Sequence, residues 1–178
     1  MKSIQLLDKK FVLSIPSETI QKEVKRVAEK MNRDLEGKNP IFICVLNGAF
    51  MFASDLLKSI TIACEVSFVK LSSYSGIMST GTVKEVIGLN EDIQGRTIIV
   101  VEDIIDTGLT IQKIIDSLQR FHPAEIKVAS FLLKPEALLV NVPQDYIALK
   151  IPNEFIVGYG LDYNGFGRNL TDIYTVGD

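Results

Sequence analysis

The most informative stretch of the sequence is residues 98–110. Four apolar residues, 98–101, are followed directly by two carboxylates, Glu102 and Asp103. In an open parallel sheet, ligands bind beyond the carboxyl ends of the strands. Because neighbouring carboxylates repel each other, such a pair is most favourable when sugar hydroxyls or a cation share it. The pair therefore indicates a binding site for hydroxyl groups, although acidic residues at a strand end are also common on plain solvated surface.

The residues that follow, 106–110, predict a phosphate-binding turn. They open a helix, and the backbone N–H groups at a helix N-terminus bind anions. Gly108 lets the backbone approach a phosphate closely, and Thr107 and Thr110 add hydroxyl donors. Asp106 alone is equally typical of an ordinary helix N-cap. Acids that can bind a sugar, followed one loop later by a phosphate cradle, fit a sugar phosphate.

These side chains must be positioned by regular elements, and the hydrophobic pattern predicts an α/β domain. Apolar residues at helical spacing predict helices at about 20–35, 49–58 and 110–120. Short apolar runs predict strands at 41–46, 62–71, 83–87, 97–101, 125–133, 146–150 and 155–157. The run 62–71 is expected to be covered on both faces. Strands that alternate with amphipathic helices favour a largely parallel central sheet flanked by helices, in one domain spanning 1–178.

Composition and charge limit the classes of function. The chain has 178 residues, of which 47% are hydrophobic and 23% charged, and its formal net charge is −3. No apolar run reaches the roughly 18 residues that a membrane span needs, and the first ten residues lack a signal-peptide core. The net negative charge does not indicate a surface that binds nucleic acid. Cys44 and Cys64 both lie in apolar runs, which favours free thiols and a cytoplasmic location.

Several segments together resemble one family. Residues 98–110 resemble the phosphoribosyl pyrophosphate signature of the type I phosphoribosyltransferases, which is specific to that superfamily. Shorter segments are similar to its 6-oxopurine branch, the hypoxanthine-guanine phosphoribosyltransferases: residues 46–48, 72–74, 134–135 and 155–164. The similar segments span nearly the whole chain.

The resemblance implies both a fold and an activity. The fold would be a type I phosphoribosyltransferase domain with a small hood built from the chain termini. The activity would be purine salvage, in which phosphoribosyl pyrophosphate donates its 5-phosphoribosyl group to hypoxanthine and/or guanine, giving IMP or GMP and pyrophosphate. Mg²⁺ is the implied cofactor. The implied partners are these small molecules and further copies of the chain in a homodimer or homotetramer.

The resemblance also implies roles for the residues that would meet the sugar phosphate. Glu102 and Asp103 would hold the ribose hydroxyls, with Mg²⁺ shared nearby. Asp106 would face N7 of the purine as a general base, because N7 must lose or share a proton as N9 attacks. The 5′-phosphate would be cradled by Thr107, Gly108, Leu109 and Thr110. The pyrophosphate would be bound by Leu46, Asn47, Gly48 and Arg168.

The purine would be bound by residues that come later in the chain. Lys134 would donate to the 6-oxo group and reject the 6-amino group of adenine, which is itself a donor. Phe155 would stack on the base, and Ile156 would contact its exocyclic edge through the backbone. Asp162 would hold a second Mg²⁺ through water. For Lys134, Asp162 and Arg168 a plain surface role stays open, as does core burial for Phe155.

Residues 72–82 are rich in Ser, Thr and Gly and predict a long loop. In the family this loop would be a lid that closes over the reacting centre, and Ser73 and Tyr74 would lie on it. Two positions depart from the family pattern. Many members carry a basic residue where this chain has Asn47, so backbone amides would bind the pyrophosphate there. The run 165–167 contains two glycines, which makes the approach of Arg168 more flexible.

The same residues also bear on alternative functions. A xanthine-preferring enzyme stays open, because the contact to the 2-position is not readable from the sequence. A regulator that uses the phosphoribosyl site and binds nucleic acid would need a clustered basic surface, and the densest basic stretches are interleaved with acids. The glycine spacings of dinucleotide-binding and P-loop proteins are absent. One histidine, His122, and two strand cysteines do not support zinc or thiol catalysis.

Overall fold

The computed structural model describes residues 2–71, 86–87 and 89–177, and these residues form two β-sheets. The main sheet has the strand order β5-β4-β3-β6-β7-β8, with β3 Ile41–Leu46, β4 Glu65–Leu71, β5 Val86–Ile87, β6 Thr97–Ile105, β7 Glu125–Leu133 and β8 Tyr146–Lys150. The smaller sheet has the order β1-β2-β10-β9, with β1 Ser3–Leu6, β2 Lys9–Ile15, β9 Ile156–Val157 and β10 Ile173–Val176. The helices are α1 Ser17–Asp34, α2 Phe50–Lys58 and α3 Leu109–Gln119, and a 3₁₀ turn covers Pro135–Ala137.

The main sheet is parallel from β4 to β8, and only the short β5 runs antiparallel to its neighbour within the described residues. Its central strands are continuous apolar runs because helices cover both faces. On one face Phe42 and Cys44 of β3 pack with α1 and α2, and on the other Ile41 and Ile43 pack with α3. The predicted α/β architecture is confirmed.

The smaller sheet is the hood that the family resemblance implied, and it is built from both ends of the chain. All its pairings are antiparallel, and β10 from the C-terminus lies between β2 and β9. The hood has a small core of its own, in which Phe11, Val157 and Tyr174 are buried together. Ile156 and Ile173 instead join the core of the main sheet. The expectation of one domain spanning 1–178 stays a prediction. None of the helices in the described part of the chain combines the length and apolar character needed to cross a membrane.

Four expectations about the elements need correction or completion. Strand β4 begins at Glu65 rather than at residue 62, and it is not covered on both faces, because Val66 and Phe68 are 40% and 49% exposed. Cys64 therefore lies before the strand. Strand β6 continues to Ile105, since its pairing with β7 extends that far, so the two carboxylates lie within the strand and not beyond it.

Strands β1, β2 and β10 were not predicted. Of the predicted strand 83–87, only 86–87 lie within the described residues, and the predicted loop 72–82 lies outside them.

A buried carboxylate joins the hood to the main domain. Asp172 accepts hydrogen bonds from Lys2 Nζ at 2.6 Å, from the backbone N–H of Ser17 at 2.8 Å and from the hydroxyl of Tyr174 at 3.2 Å. The residue that precedes α1 is Pro16, which provides no side-chain cap. Asp172 therefore caps the first turn of α1 from a distant part of the chain.

We expect Asp172→Ala to lower the free energy of unfolding by roughly 1–2 kcal/mol, the usual cost of losing a helix cap. The hydrogen bond from Lys2, followed by that from the Ser17 N–H, holds the pKa of Asp172 below its ordinary value. This contribution is therefore complete above the unfolded-state pKa of about 4 and is lost as the pH falls through the lower folded-state pKa. Urea unfolding at several pH values measures it. The exposed Asp116→Ala on α3 is the control, and an equal loss in both variants would contradict the assignment.

Candidate functional site

The cavity that contains the predicted chemistry lies at the carboxyl ends of β3 and β6. Its volume is about 390 Å³. It is lined by Val45, Leu46, Glu102, Asp103, Ile104, Ile105, Asp106, Thr107, Gly108, Thr110 and Ile111. The sheet therefore brings the carboxylate pair, the predicted phosphate cradle and the end of β3 to one cavity, as expected for the ligand edge of a parallel sheet.

Glu102 is the most unusual side chain in this cavity. It is only 6% exposed, and its Oε1 accepts a hydrogen bond from the backbone N–H of Asp103 at 3.3 Å. Its Oε2 is buried and has no hydrogen-bond partner among the described residues. Burial, followed by the charge of Asp103, raises the pKa of Glu102. A buried carboxylate oxygen without a donor is costly, so the site favours a cation or hydroxyl donors.

Asp103 is held against the turn that follows β3. Its Oδ1 accepts the backbone N–H of Ile104 at 2.8 Å. A Cβ on Gly48 would overlap the Asp103 carboxylate, so only glycine fits at this position. The peptide bond between Leu46 and Asn47 is cis. Because of the close approach of Gly48, the turn formed by Leu46, Asn47 and Gly48 lies in direct contact with the Asp103 carboxylate.

The predicted phosphate cradle is the turn between β6 and α3. Gly108 has a φ of +83°, and a Cβ there would lie 3.0 Å from Val140 Cγ2, so both backbone and space favour glycine. The carbonyl of Thr107 accepts the N–H of Leu139 at 3.0 Å, which ties the cradle to the loop after β7. Helix α3 begins at Leu109, and the N–H groups of a first helical turn have no partner within the helix. The cradle can therefore bind an anion.

Lys134 and Asp106 meet at the ends of neighbouring strands. The Nζ of Lys134 lies 3.1 Å from Oδ2 of Asp106, and the backbone N–H of Lys134 donates to the carbonyl of Ile105 at 2.9 Å. Lys134 is only 7% exposed, whereas the Asp106 side chain is about half exposed. A buried lysine paired with a carboxylate is not a plain surface residue. The structure thus brings together two of the side chains expected to contact the purine.

The hood contributes Arg168 and Asp162. Arg168 Nη2 lies 2.6 Å from Asp162 Oδ1, and Nη1 donates to the carbonyl of Gly160 at 2.7 Å. Asp162 Oδ2 also accepts the N–H of Gly165 at 2.6 Å. Burial raises the pKa of Asp103, and the nearby positive charge of Arg168 offsets part of that rise. Arg168 is therefore held rigidly, despite the glycines that precede it, and close enough to act on the carboxylate pair.

Phe155 and Ile156 lie in different environments. The Phe155 ring is 50% exposed and lies 5.8 Å from the Tyr163 ring, edge-on at 82°, so core burial does not describe it. The Ile156 side chain is buried in the main core. It also lines a second cavity of about 340 Å³, between β2, the start of α1 and the end of β8, to which none of the carboxylates discussed above contributes. Ser73 and Tyr74 lie outside the described residues.

Comparison with known proteins agrees with this geometry. The family model described as "Phosphoribosyl transferase domain" matches residues 16–164. The chain is 38% identical over 176 residues to the hypoxanthine-guanine phosphoribosyltransferase of Aquifex aeolicus, covering 98% of this chain and 99% of that protein. It is 40% identical over 154 residues to that of Streptococcus thermophilus, covering 86% of each. The crystal structure of a Bacillus anthracis hypoxanthine-guanine phosphoribosyltransferase superposes with a TM-score of 0.82 at 38% identity, covering 94% of this chain and 97% of the other.

The chain belongs to the hypoxanthine-guanine phosphoribosyltransferase family.

Sequence reasoning missed part of how this phosphoribosyltransferase builds its site. Gly160 was not singled out, yet a Cβ there would overlap the carbonyl of Gly48, so the hood packs directly on the turn after β3. The Gly-Tyr-Gly pattern at 158–160 was the available signal, because glycines that flank an aromatic residue indicate a tight backbone contact. In the described part of the chain, no group of three or more His, Cys, Asp or Glu residues is placed to hold a metal. A cation here would depend on Glu102 and Asp103 together with oxygens from a ligand.

Proposed function

We propose that the protein is a purine salvage enzyme that transfers the 5-phosphoribosyl group of phosphoribosyl pyrophosphate to hypoxanthine and/or guanine, giving IMP or GMP and pyrophosphate. The observation that supports this most directly is the pair formed by Lys134 and Asp106, 3.1 Å apart beside the phosphate cradle. A 6-oxopurine presents O6 and N7 as neighbouring atoms on one edge. An ammonium group can donate to O6 while a carboxylate accepts the N7 proton.

The same pair argues against adenine. Adenine carries an amino group at position 6, and a lysine ammonium has donors only, so two donors would face each other. Xanthine shares the O6 and N7 edge with hypoxanthine and guanine. Selection among these three bases must therefore depend on the 2-position, which Ile156 would meet through its backbone, since its side chain is buried in the core.

The remaining site residues would bind phosphoribosyl pyrophosphate. Glu102 and Asp103 would accept hydrogen bonds from the ribose hydroxyls, for which the Glu102 Oε2 without a partner is suited. The 5′-phosphate would bind at the start of α3, to Thr107, Gly108, Leu109 and Thr110. The pyrophosphate would lie between Leu46, Asn47 and Gly48 on one side and Arg168 on the other, where a guanidinium can bind two phosphate oxygens. Phe155 would stack on the base.

Within this mechanism, Asp106 moves the proton. It is half exposed beside the cavity, and it would hold the N7 proton while N9 attacks C1 of the ribose. Lys134 would stabilise the negative charge on O6 and keep Asp106 in place. Both reactants are positioned by groups at the edge of one rigid sheet, which lowers the entropic cost of bringing them together.

Mg²⁺ fits the same carboxylates. Their oxygens are the hard ligands that Mg²⁺ prefers, and Mg²⁺ is commonly held by one or two carboxylates plus substrate phosphates. Glu102 and Asp103 would hold it directly or through water, and Asp162, whose oxygens already contact Arg168 and Gly165, would act through water. When bound, Mg²⁺ would neutralise charge on the leaving pyrophosphate.

We also propose that the chain assembles as a homodimer or homotetramer in the cytoplasm. Phe50 at the start of α2 and Val66 and Phe68 on β4 are exposed apolar side chains, and exposed apolar surface is typical of subunit interfaces. Both cysteines are free thiols, which fits a reducing compartment. Light scattering of the purified full chain is expected to give two or four times the mass of one chain, and a monomer would contradict the assembly.

The function predicts a specific substrate profile. With phosphoribosyl pyrophosphate and Mg²⁺, we expect conversion of hypoxanthine or guanine and no conversion of adenine, because of the donor at Lys134. A spectrophotometric assay with hypoxanthine, guanine, xanthine and adenine measures this and ranks the bases. Conversion of xanthine alone would instead identify a xanthine-preferring enzyme. If folded protein binds phosphoribosyl pyrophosphate but converts none of the four bases, the result would favour a regulator that binds nucleic acid.

The matched variant for the base site is Lys134→Ala. It is expected to raise KM for hypoxanthine by about tenfold or more, the cost of losing one charged hydrogen bond, while KM for phosphoribosyl pyrophosphate changes much less. Steady-state kinetics with each substrate varied in turn separates the two effects. Equal weakening of both substrates would remove Lys134 from the purine site.

Asp106→Asn tests the proton transfer. The amide keeps the size of the side chain but cannot take a proton, so kcat should fall by roughly 10²-fold or more, as general-base losses do. Binding of phosphoribosyl pyrophosphate, measured by calorimetry, should be nearly unchanged because the cradle amides remain in place. An unchanged kcat would refute the role of Asp106 as base.

A further inference from the structure

Tyr159 lies in the hood segment that touches the turn after β3, and no role in the proposed reaction has been given to it. It is buried, and its backbone has a left-handed φ of +47°, between Gly158 at +109° and Gly160 at +100°. A bulky residue in this conformation is costly and persists only where the surroundings determine it. Tyr159 is therefore held by its contacts and not by its own backbone preference.

Those contacts lead to α2. The Tyr159 hydroxyl donates to Asp55 Oδ2 at 2.9 Å, and its ring lies 4.8 Å from the Phe131 ring. Asp55 also accepts from Gln21 Nε2 at 2.6 Å and from Lys58 Nζ at 3.1 Å. Burial acts to raise the pKa of Asp55, but these hydrogen bonds outweigh it and lower the pKa. Tyr159 thus donates to a charged acceptor, and such hydrogen bonds are the stronger ones.

The contacts form a closed path around the turn that would bind pyrophosphate. Helix α2 begins at Phe50, two residues after Gly48, and carries Asp55. The path crosses from Asp55 to Tyr159 and passes to Gly160, whose α-carbon has no room for a side chain against the Gly48 carbonyl. Gly160 also exchanges two hydrogen bonds with Arg168, through its N–H at 2.9 Å and its carbonyl at 2.7 Å.

We propose that Tyr159 and Asp55 are a positioning pair that sets the distance between the turn at Gly48 and Arg168, and so controls the affinity for phosphoribosyl pyrophosphate. The proposal deepens the proposed function and rests on it for the identity of the ligand. Neither side chain lines the cavity, so the pair acts through Gly160 and Arg168. The base site at Lys134 and Asp106 lies at the ends of β6 and β7 and is not part of the path.

Tyr159→Phe tests the pair, because it removes the hydroxyl and keeps the ring. We expect the Kd and the KM for phosphoribosyl pyrophosphate to rise by about tenfold, because misplacing the turn at Gly48 relative to Arg168 weakens the contacts of both to the ligand. KM for hypoxanthine should change by less than about twofold. Asp55→Ala should behave alike, and the double variant should be no worse than either single one. Asp55→Asn keeps a neutral acceptor oxygen, so its affinity should fall between that of the wild type and that of Asp55→Ala.

Tyr174→Phe is the matched control. It also removes a buried hood hydroxyl that donates to a carboxylate, Asp172, but this bond leads to the start of α1 and not to Gly48. It should lower thermal stability and leave the affinity for phosphoribosyl pyrophosphate unchanged. Equal effects of Tyr159→Phe and Tyr174→Phe on affinity, or an equal rise in KM for both substrates, would overturn the proposal.

Calorimetry with phosphoribosyl pyrophosphate and Mg²⁺ separates this inference from the proposed function. Wild-type protein that binds the ligand but converts no base would refute the function, and the comparison of Tyr159→Phe with Tyr174→Phe would still decide the inference. Normal turnover with unchanged affinity in Tyr159→Phe would overturn the inference alone. Where Tyr159→Phe does not yield folded protein, Asp55→Asn against Asp55→Ala makes the same test, and equal affinities in those two would overturn it.

Discussion

The burial of two adjacent carboxylates inside β6 is the constraint on which the rest of the site depends. Glu102 is buried within the main sheet and Asp103 lies against the turn at Gly48, so water does not solvate them fully. Burial raises the pKa of both side chains, and Glu102 Oε2 has no donor within the described residues. The folded chain therefore carries an unfavourable group that a cation or sugar hydroxyls can satisfy. Part of the binding energy of such a ligand would come from removing this cost.

The geometry around the carboxylates follows from that constraint. Gly48 must lack a side chain because Asp103 occupies the space, and Gly160 must lack one because the carbonyl of Gly48 does. The two glycines let three backbone segments meet: the end of β3, the strand β6 and the hood. Arg168 contacts Asp162 and the Gly160 carbonyl, and these two contacts fix the position of its guanidinium group. The lack of a side chain at Gly48 and Gly160 thus allows these segments to meet at the edge of the site.

The hood is attached to the rest of the chain through hydrogen bonds to two carboxylates as well as through apolar packing. Asp172 caps α1 from the C-terminal part of the chain, and Asp55 on α2 accepts the hydroxyl of Tyr159. Hydrogen bonds to these carboxylates have a fixed direction, whereas apolar contacts do not. Both carboxylates attach the hood to the main sheet, and only the bond from Tyr159 to Asp55 lies on the path that leads to Arg168.

The sequence by itself determined the α/β class, the order of most elements and the segment 102–110 that lines much of the cavity. This was so because strands covered on both faces are continuous apolar runs, and because the run 98–110 combines acids, a glycine and hydroxyls in one short segment. The strands β7 and β8 were predicted with their observed bounds. Local patterns of this kind depend only on neighbouring residues.

Only the tertiary structure decided the contacts between distant segments. The extension of β6 to Ile105 comes from its pairing with β7, and the hood strands β1, β2 and β10 form by pairing between the two ends of the chain. The exposed face of β4 reflects its position near the sheet edge. The contact of Lys134 with Asp106 and that of Tyr159 with Asp55 join residues 28 and 104 positions apart. Hydrophobic periodicity carries no information about such pairs, because it reports which face is buried and not which side chain it meets.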